Sequence, residues 1–268
     1  MLSEEMIRKM VDFDGVIVPS DWCQSVFSRA LPGKIVEVVP LGIDPETWHQ
    51  LPRESGSEIF RIIWQGTFCG DRKGAPLALK VFNDLNLPYS ELILKMNPRY
   101  TDAKIEWDLW LDRATIADIL QIPERAVNDI RVHSLGRLFC QEDMTRLLAG
   151  CHLSLYPSYG EGFGLIPLEH MATGLPVIMA DNSGMSMFAD PRYNWPIPCT
   201  EKCSTFGPEC GVDYAPDENE IKRAILWTYE HRDQAVALGQ AAAKWVRENW
   251  TYRHSAEKFL SVIERMAA

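Results

Sequence analysis

The 268 residues carry a formal net charge of −10 and are 46% hydrophobic and 24% charged, which is an ordinary globular composition and argues against disorder. The acidic balance argues against a nucleic-acid surface, which needs clustered Lys and Arg, and no apolar run approaches the ~20 residues of a membrane span. The start, MLSEEMIRKM, lacks the apolar core of a signal peptide, and the seven scattered cysteines are typical of reduced thiols, so we expect a cytoplasmic protein.

The first forty residues predict a small α/β unit. DGVIVPS (14–20) favours a strand, Ser20 or Asp21 is expected to begin a helix that runs to about Ala30, and KIVEVVP favours a second strand. These residues supply only about two strands and two helices, so we interpret 1–40 as the remnant of a larger N-terminal domain. The turn-rich, aperiodic stretch 41–57 predicts a linker.

From residue 58 onwards, strands are predicted to alternate with helices. The predicted strands are 58–66, ELILKM (91–96), DIRVHS (129–134), a segment within CHLSLYPS (151–158) and PVIMAD (176–181). The predicted helices are 75–85, a long one around 103–120, 141–149, 165–173, two between 214 and 250, and a last one at 252–266. This order predicts an α/β fold, a Rossmann-like doubly wound parallel sheet over 58–250 followed by a C-terminal helix in 251–268.

Three cysteines cluster in PCTEKCSTFGPEC, namely Cys199, Cys203 and Cys210. A zinc site would need a fourth Cys or His at a short spacing, and none follows within the stretch. We therefore expect an irregular loop whose thiols pack against the body of the protein, and no metal.

The stretch SYGEGFGLIPLEH places two acids around the beginning of a predicted helix. The unpaired amides there bind anions such as phosphate, and Gly160, Gly162 and Gly164 let a ligand approach the backbone closely. Glu161 is suited to accept from hydroxyl donors, and Glu169, about one turn inside the helix, could accept from a ribose diol. This pattern favours a phosphate with sugars on both sides, the shape of a nucleotide sugar. The alternative is that Glu161 caps the helix and Glu169 is a solvated surface acid.

Two basic residues precede another predicted helix in GDRKGAPLAL. Lys73 lies just before a helix whose first turn holds Pro76, an unfavourable place for a cation unless an anion is nearby. We expect Arg72 and Lys73 to neutralise a diphosphate and to assist its departure as negative charge develops. The alternative is that both are solvated surface charges.

In chain order, VIVPSDW, VVPLGIDPETW, WQGTFCGDRKG, the motif stretch and the closing Trp-Thr-Tyr-Arg-His helix resemble GT-B retaining glycosyltransferases of family 4. The resemblance covers nearly the whole chain, and its most specific part is the pair Glu161 and Glu169, eight positions apart. It implies transfer of a sugar from a nucleoside-diphosphate sugar, such as a UDP- or GDP-sugar, to a saccharide or other hydroxyl acceptor. It also implies that no further cofactor is required.

By this resemblance, Glu169 binds the ribose and Glu161 binds hydroxyls of the donor sugar. The backbone of Gly162, Phe163, Gly164 and Leu165 is expected to face the sugar and diphosphate, and the strand end from His133 to Gly136 is expected to receive the base. Thr67 stands where many members have Arg, so Arg72 is expected to supply the missing diphosphate contact.

Members of this family begin with a complete N-terminal domain. The present sequence includes only the last part of such a domain. We therefore expect that transfer needs an N-terminal half supplied in trans. One alternative is a non-catalytic module that binds nucleotide sugar. A further alternative, a dinucleotide-binding dehydrogenase, has Asp181 about 20 residues after the glycines, but Leu165 stands where its third glycine belongs.

Overall fold

The computed structural model describes residues 4–67, 72–97, 132–135, 139–204 and 211–267. The strands are β1 (Gly15–Val18), β2 (Ile35–Val38), β3 (Phe60–Thr67), β4 (Ser90–Asn97), β5 (Val132–Leu135), β6 (Leu153–Tyr156), β7 (Val177–Ala180), β8 (Trp195–Ile197), β9 (Cys199–Cys203) and β10 (Val212–Pro216). The α-helices are α1 (Glu4–Met10), α2 (Asp21–Ala30), α3 (Ala75–Leu85), α4 (Gln141–Ala149), α5 (Leu165–Ala172), α6 (Glu218–Glu230), α7 (Arg232–Asn249) and α8 (Tyr252–Ala267), and one 3-10 helix spans Ser183–Met187.

A parallel six-stranded sheet in the order β5-β4-β3-β6-β7-β8 forms the body of the described chain. β4 and β5 are added in turn on one side of β3, and β6, β7 and β8 are then added in turn on its other side. This is the strand order of a doubly wound dinucleotide-binding fold, and it confirms the predicted fold class. The direction reverses between β3 and β6, and the crevice at their carboxyl ends is where such sheets bind ligands.

Both faces of this sheet are covered by helices. Because side chains alternate along a strand, Ile62 and Trp64 of β3 pack on one face with α3 and α6, whereas Ile63 packs on the other with α4, α5 and α7. All three are fully buried. Burying each such side chain contributes about 1.5–3 kcal/mol, so the two cores hold the strand ends in fixed positions.

The N-terminal unit consists of β1 and β2, paired in parallel, with α1 and α2. The predicted start of α2 is confirmed, because Ser20 is the N-cap and its hydroxyl accepts from the amide of Cys23. Helix α8 returns to this unit, where Arg265 donates to the Glu37 carboxylate at 3.0 Å. The linker and the start of α8 are joined by a bridge between Ile43 and Thr251.

The predicted irregular loop around the cysteines is wrong in part. Cys199–Cys203 is strand β9, which pairs antiparallel with Val212–Pro216, and the exposed Cys203 does not pack against the body of the protein. The helix predicted from 214 begins only at Glu218, because residues up to Pro216 belong to β10 and Asp217 caps α6. Strand β8 was not predicted, because its three residues, Trp195–Ile197, are too few to show strand alternation.

Some expectations fall outside the described residues. These are the long helix around 103–120, Gly136 and Cys210. Within the described part of the chain, none of the helices has the length and apolarity to cross a membrane, and no three or more His, Cys, Asp or Glu residues are placed to share a metal ion.

Candidate functional site

Two loops meet at the crevice between β3 and β6. The amide of Tyr159 donates to the carbonyl of Arg72 at 2.8 Å. Gly74 has φ 74°, and a Cβ there would lie 2.1 Å from the carbonyl oxygen of Pro157, so only glycine allows this approach. The loop carrying Arg72 and Lys73 is therefore held against the loop that begins the motif.

The motif loop ends in the uncapped N-terminus of α5. Gly164 is the N-cap with φ 104°, and no side chain caps the helix. The interpretation of Glu161 as a helix cap is therefore wrong. A Cβ on Gly164 would lie 2.7 Å from Cγ of Met185, which adds a packing reason for glycine to the conformational one. Within the described residues, no side chain therefore accepts from the first amides of α5.

Glu161 lies at the centre of a hydrogen-bonded network. Its Oε1 accepts from Tyr156 at 2.9 Å and Ser158 at 2.8 Å, and Lys73 forms a short ion pair with the same oxygen. Its Oε2 lies 3.7 Å from the guanidinium of Arg72, which also donates to the carbonyl of Gly160 at 2.7 Å. Burial and the neighbouring carboxylate raise the pKa of Tyr156 well above its ordinary value, so the phenol stays protonated and donates.

The interpretation of Arg72 and Lys73 as solvated surface charges is wrong. Their side chains are 32% and 13% exposed, and both face the Glu161 carboxylate. The anion expected beside Lys73 is thus present in the protein itself. Two cations face one carboxylate, which leaves about one unit of positive charge for a bound anion.

The backbone of Glu161 is fixed from the opposite side by the 3-10 helix. Its amide donates to the hydroxyl of Ser183 at 2.9 Å, and its carbonyl accepts from the amide of Gly184 at 3.0 Å. A Cβ on Gly184 would lie 2.2 Å from the carbonyl oxygen of Gly162. This close approach requires glycine at position 184 and holds the 3-10 helix against the motif loop.

Glu169, one turn inside α5, is desolvated. Burial raises its pKa from 4.5 to about 7. Within the described residues its carboxylate has no hydrogen-bond or ion-pair partner. The interpretation of Glu169 as a solvated surface acid is therefore wrong, and the group has the unmet acceptor capacity that a ribose diol would fill.

His170, next on the helix, fixes α5 to the sheet. Its Nδ1 lies 2.8 Å from the hydroxyl of Ser154 on β6, and its Nε2 lies 2.9 Å from Oε1 of Gln65 on β3. The imidazole is fully buried, and desolvation lowers its pKa to about 3, so it is neutral.

Not all of the remaining predicted site residues lie at the carboxyl edge of the sheet, because His133 pairs with Ile93 in the middle of β4 and reaches toward Glu91 near the amino end of that strand. Thr67 ends β3, and His133, on β5, is exposed with its Nε2 3.6 Å from the Glu91 carboxylate. Phe163 is buried and packs against Phe188 and Trp250 at ring-centroid distances of 5.5 and 5.9 Å. The structure therefore brings Arg72, Lys73, Glu161 and the α5 N-terminus together.

Comparison with known families gives one match over most of the chain. Residues 20–259 match the model of a family described as family 4 glycosyltransferases in conflict systems. A protein of Sulfolobus islandicus filamentous virus that carries a glycosyltransferase name is 25% identical over 175 residues, which is 65% of this chain and 43% of the viral protein. The MMP α-(1→4)-mannosyltransferase of Mycolicibacterium hassiacum is 31% identical over 149 residues, 53% of this chain and 30% of that enzyme.

Solved structures give the same fold. Sucrose-phosphate synthase from Thermosynechococcus elongatus superposes with a TM-score of 0.72 at 19% identity, over 97% of this chain and 60% of the synthase. HepE of Anabaena, solved with UDP and glucose, superposes with a TM-score of 0.74 at 17% identity, over 98% of this chain and 68% of HepE. The chain thus spans less than half of the viral relative and about three-fifths of the synthase.

Proposed function

This chain belongs to the family 4 glycosyltransferases of conflict systems, and from that premise we propose that it binds a nucleoside-diphosphate sugar at the β3–β6 crevice and serves in retaining sugar transfer. The observation that carries the proposal is the placement of Arg72, Lys73 and Glu161 beside the uncapped N-terminus of α5. HepE, which has the same fold, is described with UDP and glucose.

The diphosphate is proposed to lie on the amides that begin α5, where the helix dipole favours an anion. Arg72 and Lys73 carry one positive charge more than Glu161 neutralises. Such fixed charges stabilise the negative charge that develops on the departing diphosphate, typically by about 3 kcal/mol for one donor.

The proposed transfer needs no protein nucleophile. The bond between the anomeric carbon and the diphosphate oxygen breaks, the acceptor oxygen bonds to the same face of that carbon, and the acceptor proton passes to the departing diphosphate. Glu161 is unsuited to be a nucleophile, because Lys73, Tyr156 and Ser158 donate to its Oε1 and the Arg72 guanidinium lies 3.7 Å from its Oε2, so the negative charge of the carboxylate is already stabilised. We propose instead that it holds Lys73 and Arg72 in place and offers Oε2 to a hydroxyl of the donor sugar.

The nucleoside is proposed to lie on the opposite side of the diphosphate. Glu169 there would accept from the two ribose hydroxyls, which supplies the partners that its carboxylate lacks among the described residues. The base would lie against the backbone at the carboxyl end of β5, within 133–136, and not on the His133 side chain, which faces Glu91. The alternative of a dinucleotide-binding dehydrogenase is not favoured, because the family match is to glycosyltransferases.

We also propose that residues outside these 268 complete the acceptor side, on the same polypeptide or on another. The described N-terminal unit has two strands, and the relatives reported above extend beyond the matched segment. The second candidate function, a module that binds donor without transferring it, rests on the same observation.

The test is to incubate the chain with UDP-glucose and GDP-mannose in parallel and to measure nucleotide binding by calorimetry and diphosphate release by an enzyme-coupled assay. Glu161→Gln should retain binding and lose release, and Glu169→Gln should lose binding. Glu142→Gln is the matched control, because Glu142 lies on the exposed face of α4 with 82% of its side chain exposed. Release shows that this chain transfers the sugar to water, binding without release supports donor binding by this chain, and no binding of either nucleotide contradicts the proposal.

A further inference from the structure

A cavity of about 580 Å³ lies beside the motif loop. It is bounded by the start of α2 on one side and by the end of β7, the 3-10 helix and β10 on the other. Its size is within the range of small-molecule sites. The donor site proposed above uses Arg72, Lys73, Glu169 and the α5 N-terminus, and none of these lines this cavity.

The cavity wall combines acids with aromatic rings. Asp21 and Asp181 contribute carboxylates, and the nine residues that form the wall within the described chain include no Lys or Arg. The indole of Trp22 donates to the hydroxyl of Tyr214 at 3.2 Å, so two rings from different parts of the fold are held together. Carboxylates accept from hydroxyl groups and repel anions, and flat aromatic faces pack against the apolar face of a sugar ring.

One wall residue connects the cavity with the candidate reaction centre. Ser183 lines the cavity, and its hydroxyl accepts from the backbone amide of Glu161 at 2.9 Å. On the α2 side, the hydroxyl of Ser20 donates to the carbonyl of Gly162 at 2.7 Å, which fixes the beginning of α2 against the motif loop. A molecule in the cavity would therefore lie next to the loop that carries Glu161.

We propose that this cavity binds the acceptor, and that the acceptor is an uncharged, hydroxyl-rich compound with one apolar face, such as a neutral glycoside. The inference rests on the proposed function, because it takes the motif loop as the place of sugar transfer. Asp21 and Asp181 accept from acceptor hydroxyls, and Trp22 packs against the ring. The same two carboxylates exclude acceptors that carry phosphate or carboxylate groups.

The test measures binding of methyl α-D-glucopyranoside and of glucose 6-phosphate to the full chain saturated with UDP, by ligand-observed NMR. The neutral glycoside should bind at least about tenfold more tightly than the phosphate, since two carboxylates face the ligand. Asp21→Asn combined with Asp181→Asn keeps the shape of the cavity and should abolish this preference. Trp22→Ala should weaken glycoside binding, and Trp227→Phe, outside the cavity, is the matched aromatic control.

The affinity for UDP is measured on every variant, and an unchanged value shows that the fold and the donor site are intact. If UDP binds but the glycoside does not, or binds equally well after the Asp and Trp22 substitutions, the assignment of this cavity is contradicted while the proposed function stands. Tighter binding of glucose 6-phosphate than of the glycoside contradicts it as well. Failure of UDP to bind the unaltered chain contradicts the proposed function itself.

Discussion

Replacing Glu169 by Gln is expected to stabilise the unliganded chain while weakening nucleotide binding. Burial raises the pKa of Glu169 from 4.5 to about 7, so ionisation is less favourable in the folded chain than in the unfolded one. The difference of about 2.5 pH units corresponds to about 3 kcal/mol at a pH above both values. If Glu169 stabilised the fold, its replacement by Gln would instead lower the free energy of unfolding.

The sign of the pH dependence follows from the direction of this shift. Below pH 4.5 the carboxyl is protonated in both states, and its contribution to stability is fully present. Between pH 4.5 and about 7 the unfolded chain ionises while the folded chain stays protonated, so stability falls across this interval, and the loss is complete above about 7. The Gln variant should therefore match the unaltered chain near pH 4 and exceed it by up to about 3 kcal/mol near pH 8.

The assay is urea unfolding of the two chains at pH 4.5, 6 and 8, followed by Trp fluorescence, with calorimetry of UDP binding at pH 8. Nucleotide affinity should fall at least about tenfold in the variant, because a neutral amide accepts more weakly than a carboxylate. Glu142→Gln should change neither quantity by more than about 0.5 kcal/mol. A Gln variant that is less stable at pH 8, or that binds UDP as tightly as the unaltered chain, would refute the reasoning.

Three further substitutions have distinct expected outcomes. Lys73→Met should lower UDP affinity by about tenfold or more and leave uridine affinity unchanged in a competition assay, since Lys73 is a charged neighbour of the proposed phosphate site. Equal losses of affinity for UDP and uridine would contradict that position of Lys73. Arg53→Met should lower the free energy of unfolding by about 2–4 kcal/mol and leave UDP affinity unchanged. The reason is that the partly buried guanidinium donates to the carbonyls of Leu148, Cys151 and Thr173. A loss below about 0.5 kcal/mol would show that these hydrogen bonds are dispensable. His170→Ala should destabilise the chain by about 3 kcal/mol at pH 7. The loss should become smaller as the pH falls below 6.5, because the unfolded chain then protonates His170 while the folded chain, in which its pKa is about 3, does not. A loss that does not change between pH 7 and 5 would show that His170 is not held neutral.

The sequence predicted the parallel sheet and the starts of α2, α3, α4 and α5 because these depend on local patterns. Gly74 and Gly164 lie where the chain requires positive φ, and Ser20 caps α2 as its type and position indicate. The predicted bounds of α3 and α4 agree with the structure, since turn residues and apolar spacing mark both ends.

What the sequence could not supply is the pairing between distant loops. Lys73 and Glu161 are 88 positions apart, and only the β3–β6 switch point brings them into contact. The sequence therefore suggested an external anion for Lys73 and a hydroxyl ligand for Glu161, where the structure has an ion pair between the two. The antiparallel pair of β9 and β10 was missed because each strand has only five residues, and neither shows strong alternation of apolar and polar residues.

The most direct test of the central claim is a structure of the chain with a bound UDP- or GDP-sugar. The account predicts the diphosphate within hydrogen-bonding distance, about 3 Å, of the first amides of α5, with the ribose on Glu169 and Lys73 beside the phosphates. A donor bound at any other edge of the sheet, or one whose diphosphate leaves the α5 amides and Lys73 without contact, would contradict it.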